Sequence, residues 1–174
     1  MRKVTRDVRV LLHNIRSAHN VGAIFRTADA LGVSRVYISG YTPCPVDRFG
    51  RPVKEVAKTA LGAEETVPWE YARTPLKIFR TLKREGFNVV GVEQDEHAVD
   101  YKTYRAPDKL LFLVGSEVSG LSAALRRRCD VLLEIPMQGK LVRHRSPDDV
   151  GKESLNVSVA FGVALFRVLD RSEQ

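Results

Sequence analysis

Short apolar runs alternate with helical stretches along this chain, and no other feature of the sequence limits the possible folds as strongly. Five runs are short, apolar and rich in β-branched residues, which predicts strands at residues 8–13, 36–39, 87–92, 110–114 and 131–135. The stretches between and after them predict helices at residues 20–31, 53–61, 74–86 and 154–169. Strands that alternate with helices form a mostly parallel sheet with helices on both faces, so the predicted class is α/β.

Composition narrows the classes of function. A chain of 174 residues is predicted to form a single domain, residues 1–174. No apolar run is long enough to span a membrane and the basic N-terminus lacks the apolar core of a signal peptide, so we expect a cytoplasmic protein. The net charge of +7 favours a polyanionic partner. Cys44 and Cys129 lie far apart and the histidines show no ligand spacing, so no metal site is predicted.

Polar residues gather around the start of the first predicted helix, at residues 14–26. A helix start offers free N–H groups and the positive end of a dipole, which suits a phosphate group. Asn20 is equally well explained as the N-cap of that helix, and both interpretations stay open. Arg26 adjoins the apolar Phe25 and lies close to Ile24, so we expect its side chain to be only partly exposed.

Two further polar clusters follow predicted strands, where open parallel sheets place their ligand sites. The first contains Gly115, which permits a close approach of the backbone, and Glu117, which can accept hydrogen bonds. Taken alone, a tight turn with Glu117 near a helix N-terminus is the simpler interpretation. The second cluster follows residue 135 and includes Ser154 and Asn156. Asn156 is predicted inside an apolar helix, where its amide needs partners, and this favours a bound ligand or a fixed backbone loop.

Taken in order, the three clusters resemble the signature motifs of the SpoU (TrmH-like) RNA ribose methyltransferases, which belong to the SPOUT superfamily. The matching segments read NVGAIFRTA at residues 20–28, VGSEVSGL at 114–121, and IPM at 135–137 with SLNVSVA at 154–160. Three motifs in order make the resemblance specific. It implies an α/β fold with a deep trefoil knot in its C-terminal part, S-adenosylmethionine as the cofactor, and a homodimer that acts on RNA without a metal or a membrane.

The resemblance also implies roles for individual residues. The implied catalytic residues are Arg26, Asn20, Glu117, Ser154 and Asn156. The implied cofactor-binding residues are Val92, Gly115, Glu117, Ile135, Met137, Gly139, Ser154, Leu155 and Asn156. A guanidinium has a pKa above about 12 and is a poor base. We therefore expect Arg26 to bind a phosphate beside the target ribose and to stabilise the forming alkoxide.

Two parts of the chain depart from the family pattern. Residues 140–153 separate the IPM segment from the SLN segment, and they are predicted to form an extended loop of the knot. Residues 1–7 form a short basic extension where many relatives carry an RNA-binding domain. RNA is then expected to bind to the catalytic dimer itself or with a helper. The predicted RNA-binding residues are Arg16, Arg26, Arg143 and Arg145.

Three functions are compatible with this resemblance. The first is methyl transfer from S-adenosylmethionine to a ribose 2′-hydroxyl of transfer or ribosomal RNA. The second is RNA binding by a non-catalytic relative, and the third is methylation of a base by an enzyme of the same fold. All five polar motif positions are intact, which favours the first function over the second. The spacing of Asn20 and Arg26, together with the SLN segment, favours ribose over base.

Overall fold

The computed structural model describes residues 6–138 and 154–170, which form seven strands and six helices. The strands are β1 (Asp7–His13), β2 (Arg35–Ser39), β3 (Trp69–Ala72), β4 (Asn88–Val92), β5 (Val99–Asp100), β6 (Lys109–Val114) and β7 (Val131–Glu134). The helices are α1 (Ala18–Ala30), α2 (Lys54–Ala60), α3 (Ala63–Thr66), α4 (Pro75–Arg84), α5 (Ala123–Arg126) and α6 (Val157–Leu169).

The seven strands form one sheet in the order β3-β2-β1-β6-β4-β7-β5. Every neighbouring pair is parallel, which confirms the predicted α/β class. From β1 the chain builds outward through β2 and β3, and β6 later inserts between β1 and β4. In open parallel sheets, ligands bind beyond the carboxyl ends of the strands where the order of the strands reverses. A ligand is therefore expected to bind at the carboxyl edge around β1, β6 and β4.

Each face of the sheet packs on its own apolar core, because successive side chains of a strand point to opposite faces. Val10 and Leu12 of β1 join the core that includes residues of α1, α2 and α6. Leu11 joins the core that includes residues of α4 and α5. In the first core the rings of Phe112 and Phe161 meet edge to face, with centroids 5.8 Å apart. Complete burial of a side chain of this size stabilises a fold by about 1.5–3 kcal/mol.

Gly22 allows the first motif to pack closely against α2. A side chain at this position would collide with the Val56 carbonyl and the Thr59 hydroxyl. The Thr59 hydroxyl donates to the carbonyl of His19 at 2.9 Å, which joins the two helices directly. The start of α1 is thus held on one side by α2 and on the other by the sheet.

Helix α1 begins two residues before the predicted start. Ser17 is its N-cap and accepts a hydrogen bond from the backbone N–H of Asn20 at 3.3 Å. The alternative in which Asn20 caps the helix is therefore wrong. Its side chain lies within the first turn and is available for other partners.

Helix α6 begins at Val157, three residues after the predicted start. Asn156 is its N-cap, and its side-chain oxygen accepts from the N–H of Ser158 at 2.9 Å. The prediction that Asn156 lies inside the apolar helix is wrong, since the residue caps the helix and is exposed. The Asn156 side chain bonds to the Ser158 N–H as a cap and to the Asn20 side chain of the first motif.

The sequence did not predict β3, β5, α3 or α5. Each has four residues or fewer, which is too short for apolar periodicity to be recognised. The trefoil knot and the loop at residues 140–153 depend on residues outside the described part of the chain, as does most of the basic extension at 1–7, so they stay predictions. Across the described ranges, no helix combines the length and apolar character needed to cross a membrane.

Candidate active site

A cavity of about 520 Å³ opens at the carboxyl edge of the sheet, beside the ends of β4, β6 and β7 and the start of α6. Six of the predicted cofactor-binding residues line it: Val92, Gly115, Glu117, Ile135, Ser154 and Leu155. Small-molecule sites usually measure about 300–1,000 Å³, so the volume fits a ligand the size of a nucleoside derivative. Parts of the second and third motifs, far apart in sequence, thus meet around one space.

Three predicted cofactor-binding residues do not belong to the described lining. Met137 is 42% exposed and lies outside it. Asn156 also lies outside the lining, and its side chain instead bonds to the first motif. Gly139 lies outside the described residues, as do the predicted RNA-binding residues Arg143 and Arg145.

Glu117 joins the second motif to the start of α1. Its Oε2 accepts from the backbone N–H of Arg16 at 2.8 Å, and its Oε1 accepts from the backbone N–H of Ser17 at 3.1 Å. The Asn20 side-chain amide donates to the same Oε1 at 2.9 Å. The carboxylate therefore lies beside the start of α1, in the region where a phosphate was predicted to bind, and binds the backbone of the two residues before the helix.

The donors around Glu117 determine its charge. Burial raises the pKa of this carboxyl, but hydrogen bonds from the Arg16 N–H, the Asn20 amide and the Ser17 N–H outweigh burial. The pKa of Glu117 consequently lies below its ordinary value of 4.5. At neutral pH the Glu117 carboxylate is charged and holds its hydrogen-bond donors in place. Because its pKa is lowered, it is a weak base and is not suited to act as a general base.

Asn20 extends this network to the third motif. Its Oδ1 accepts from the Asn156 Nδ2 at 3.1 Å, while its own amide donates to Glu117. One side chain therefore connects the start of α1, the segment after β6 and the N-cap of α6. The network of Glu117, Asn20 and Asn156 fixes three of the five predicted catalytic residues relative to each other, and Ser154 lines the cavity close by in sequence.

Gly115 lets the second motif fold back on itself. A side chain at this position would come within 2.7 Å of the Gly120 backbone. Ser116 and Gly120 form an isolated antiparallel bridge, and Gly120 has a φ of +60°, a conformation that favours glycine. The backbone that closely approaches Gly115 is therefore that of Gly120 in the same motif. The turn between them lines the cavity.

Arg26 lies apart from this network. It stands six residues after Asn20, which places it about 9 Å further along the helix axis at 1.5 Å per residue. The side chain is exposed, contrary to the prediction of partial burial, and it does not line the cavity. Within residues 6–138 and 154–170, no carboxylate pairs with it. The backbone of Arg16 binds Glu117 of the cavity lining, and the residue is exposed.

The sequence did not identify Glu93 and Gln94 as site residues, although both line the cavity. The available signal was a carboxylate and an amide placed directly after the buried strand β4, at the edge where ligands bind. Tyr41 is a second omission, because its exposed ring is tethered to the lining by a hydroxyl that donates to Ser116 Oγ at 3.4 Å.

A basic turn at residues 48–51 protrudes beyond β2. Phe49 is 65% exposed, and the guanidinium groups of Arg48 and Arg51 lie 4.7 and 5.0 Å from its ring centroid. Arg51 also pairs with Asp47 at 2.7 Å. The turn combines an exposed π-face with positive charge, which are the two features that bind single-stranded nucleic acid.

An apolar stripe runs along α6 on the side away from the sheet. Val159, Val163 and Phe166 are 49%, 40% and 52% exposed and recur at helical spacing. This side of the apolar helix is therefore exposed in the single chain. The methyl group of Thr27 in α1 lies close to Gly162 of α6, so Arg26 and the stripe belong to adjoining helices.

In the described part of the chain, no group of three or more histidine, cysteine, aspartate or glutamate side chains is placed to hold a metal ion.

Comparison with known proteins identifies the family of this chain. The model of the SpoU rRNA Methylase family matches residues 7–166. The 23S rRNA (guanosine-2'-O-)-methyltransferase RlmB of Nitrosomonas europaea is 34% identical over 166 residues, covering 95% of this chain and 56% of that protein. The AdoMet-bound rRNA methyltransferase of Sinorhizobium meliloti is similar in structure, with a TM-score of 0.76 and 29% identity over 93% of this chain and 55% of that one.

A TrmH/SpoU tRNA modifying enzyme of A. aeolicus is also similar, with a TM-score of 0.75 and 26% identity over 94% of this chain and 74% of that one. The chain spans less than three fifths of the length of the curated relatives RlmB from Nitrosomonas europaea and from Ralstonia nicotianae, at 56% and 57%. The family match covers nearly the whole sequence and includes all three motifs. The chain is a member of the SpoU rRNA methylase family.

Proposed function

We propose that this protein transfers a methyl group from S-adenosylmethionine to a ribose 2′-hydroxyl of transfer or ribosomal RNA, as an enzyme of the cytoplasm. The observation that carries the proposal is the network of Glu117, Asn20 and Asn156, which joins three motifs at the rim of one cavity. Relatives with similar sequences and structures are named as RNA methyltransferases, including one that modifies a guanosine 2′-oxygen. The free thiols at Cys44 and Cys129 suit a reducing compartment.

The cavity fits the cofactor in size and in chemistry. Val92, Ile135 and Leu155 give it apolar walls suited to an adenine ring, and the turn at Gly115 gives it backbone groups. Glu117 places a negative charge at its edge, which suits a sulfonium cation. S-adenosylmethionine supplies an electrophilic methyl group on a positively charged sulfur. The residues of the chain then have to position the hydroxyl, whose proton passes to a neighbouring RNA phosphate or to water as the carbon–sulfur bond breaks.

Arg26 is the residue proposed to act on the RNA. Its guanidinium stays protonated, so it stabilises developing negative charge on the ribose oxygen and binds a neighbouring phosphate. Because Arg26 is exposed and lies outside the cavity of its own chain, we propose that it serves the cavity of a second copy. Asn20 orients the ribose or the opposing arginine from a position fixed by Glu117.

The second copy is proposed to cover the apolar stripe of α6. Val159, Val163 and Phe166 would lose contact with water in a homodimer, and burial of exposed apolar surface drives association. A homodimer doubles the net charge of +7, which increases attraction to RNA. A homodimer would therefore explain both why Arg26 is exposed and why the apolar stripe of α6 is exposed in a single chain.

The RNA is proposed to follow the carboxyl edge past the exposed side chains of Arg16 and the basic turn at 48–51. Phe49 offers a stacking surface for a base, and Arg48 offers a phosphate contact. Arg143 and Arg145 remain proposed RNA contacts. Tyr41, whose ring is exposed, is bonded to the cavity lining through Ser116.

The test is methyl transfer from radiolabelled S-adenosylmethionine to unmodified total transfer RNA and to ribosomal RNA transcripts. Nuclease digestion followed by mass measurement of the nucleosides places the methyl group. We expect the label on ribose. A methyl group on a base would favour the base-methylating alternative, and normal RNA binding without calorimetric binding of S-adenosylhomocysteine would favour the non-catalytic alternative.

The RNA surface has its own test. Phe49→Ala should weaken binding of a single-stranded RNA by about 5- to 100-fold, the range expected when one base loses its stacking partner. Tyr71→Ala removes another exposed aromatic ring, on β3, and serves as the matched control that should bind RNA as the wild type does. Equal RNA affinity of the Phe49→Ala protein and the wild type would remove the basic turn from the RNA path.

A further inference from the structure

We propose that Glu93 binds the ribose hydroxyls of the cofactor and thereby selects a ribonucleoside ligand. This inference rests on the proposed cofactor, S-adenosylmethionine. Glu93 follows β4 directly and lines the cavity with Val92 and Gln94. It lies at the carboxyl edge of the sheet, and in dinucleotide-binding parallel sheets a carboxylate at that edge binds a ribose hydroxyl.

The position of the Glu93 carboxylate is fixed by the backbone. Its Oε2 accepts from the Leu121 N–H at 2.5 Å, and its Oε1 accepts from the Gln94 N–H at 3.3 Å. Its own N–H donates to the Leu133 carbonyl of β7 at 3.0 Å. A side chain at Gly120 would collide with the carboxylate. Glu93 is therefore held between β4, β7 and the second motif, with little freedom to turn away from the cavity.

The carboxylate retains acceptor capacity after these bonds. A carboxylate has about four acceptor positions, and the described contacts of Glu93 use two of them. Within the described ranges, no lysine, arginine or histidine forms an ion pair with it. A half-buried carboxylate with two free acceptor positions is suited to two adjacent hydroxyl donors, which is what a ribose presents.

Glu117 of the second motif and Glu93, which bonds to that motif, face different parts of the proposed site. Glu117 binds Arg16, Ser17 and Asn20 and so faces the first motif, where the methyl group has to meet the RNA. Glu93 instead contacts Leu121, at the opposite end of the motif. The cofactor ribose lies between the adenine and the sulfonium, away from the RNA. Glu93 is therefore the carboxylate placed for the cofactor ribose.

The test measures binding by calorimetry and does not depend on activity. The ligands are S-adenosylhomocysteine and its 2′,3′-dideoxy analogue, and the proteins are the wild type, Glu93→Gln and Glu134→Gln. Loss of hydrogen bonds to a charged acceptor should weaken binding of the dideoxy analogue to the wild type by about 10- to 100-fold. The Glu93→Gln protein should distinguish the two ligands by less than about threefold, since its amide is a weaker acceptor. Glu134→Gln, which alters another carboxylate residue of the lining, should distinguish them as the wild type does.

Three outcomes would overturn the inference. The first is equal affinity of the wild type for both ligands, which needs no variant to interpret. The second is a Glu93→Gln protein, with an unchanged circular dichroism spectrum, that loses affinity equally for both ligands, since that pattern belongs to a residue that only holds the second motif. The third is loss of discrimination in Glu134→Gln alone, which would assign the hydroxyls to that residue. Failure of the folded wild type to bind S-adenosylhomocysteine at all would instead overturn the proposed function.

Discussion

The carboxyl edge of the sheet and the outer surface of α1 and α6 lie close together but are built differently. At the edge, Glu117, Asn20 and Asn156 satisfy one another within a single chain. On the outer surface, Arg26 and the apolar stripe of α6 are exposed, and within the described residues nothing covers them. Under the proposed function, the described part of the cofactor site belongs to one chain, whereas Arg26 acts at the cavity of a second copy.

Helix α4 shows that the exposed stripe is a specific property of α6. Both helices cover the sheet, and α4 buries Ile78, Phe79 and Leu82. The outward surface of α4 carries charged residues such as Lys77 and Arg80, as expected for a helix that faces water. Val163 and Phe166 occupy the corresponding outward surface of α6. Both helices cover the sheet, but α4 exposes charged side chains whereas α6 exposes apolar ones.

Among the substitutions that test this contrast, Arg26→Ala is expected to change activity most. Methyl transfer should fall by about 100- to 1,000-fold, the cost of removing a group that stabilises transition-state charge. Binding of S-adenosylhomocysteine by calorimetry should be unchanged, because Arg26 is proposed to contact the RNA and not the cofactor. Full activity of a folded Arg26→Ala protein would remove this residue from the reaction.

A mixing experiment asks which chain supplies the arginine. Arg26→Ala chains are refolded with chains whose cavity is blocked by Leu155→Trp. If the arginine serves the partner's cavity, the mixture should recover about a quarter of wild-type activity, since half of the randomly formed dimers carry one intact site. No recovery would mean that arginine and cavity belong to the same chain.

A second substitution concerns the stripe. Val163→Asp should convert the dimer to a monomer at micromolar concentration, because an unpaired carboxylate would be buried in the interface. Light scattering measures the mass, and methyl transfer should fall with it. Lys77→Asp on α4 is the matched control and should leave the mass unchanged. A wild-type protein that is monomeric at high concentration would contradict the proposed dimer.

A third substitution tests the network at the carboxyl edge through stability and its pH dependence. Glu117→Gln should lower the free energy of unfolding by about 1–3 kcal/mol at pH 7, because the amide cannot satisfy the donors of the charged network. The pKa of Glu117 is lowered in the folded state, so its contribution is present above the ordinary pKa of 4.5 and is lost as the pH falls through the folded pKa.

Denaturant unfolding of both proteins between pH 7 and pH 2 measures this dependence. The difference between wild type and Glu117→Gln should be constant near neutral pH and should shrink below about pH 4.5. Glu65→Gln, which changes an exposed carboxylate of α3, is the matched control, and its free energy of unfolding at pH 7 should be close to that of the wild type. A difference that stays constant down to pH 2 would mean that the charge of Glu117 does not stabilise the fold.

The smallest effect is expected for a substitution that removes the N-cap of α1 and leaves the network of Glu117, Asn20 and Asn156 intact. Ser17→Ala removes the N-cap of α1 and should cost about 1 kcal/mol of stability, with little effect on methyl transfer. Asn20→Ala keeps the cap, and its main effect should be on methyl transfer. Thermal unfolding and activity measured on both variants test this assignment, and it would be wrong if the two variants behaved alike.

Much of the fold could be predicted from local sequence patterns. The strands around Leu11, Val90 and Leu113 are buried apolar runs, and such runs indicate a parallel sheet with no knowledge of its neighbours. The three motifs could be placed at the carboxyl edge because each follows a predicted strand or begins a helix. The short β5 and α5 could not be predicted, because they depend on packing against elements that are distant in sequence.

The α/β class, the three motifs and the residue types available for chemistry follow from the sequence alone, because periodicity and motif order are properties of neighbouring residues. The folded chain was needed to show that Ser17 caps α1 while Asn20 turns to Glu117, a residue 97 positions away. It was also needed to show that Glu93 lines the cavity and that one side of α6 stays exposed. Pairing and exposure depend on which distant groups the fold brings together, and local sequence does not contain that information.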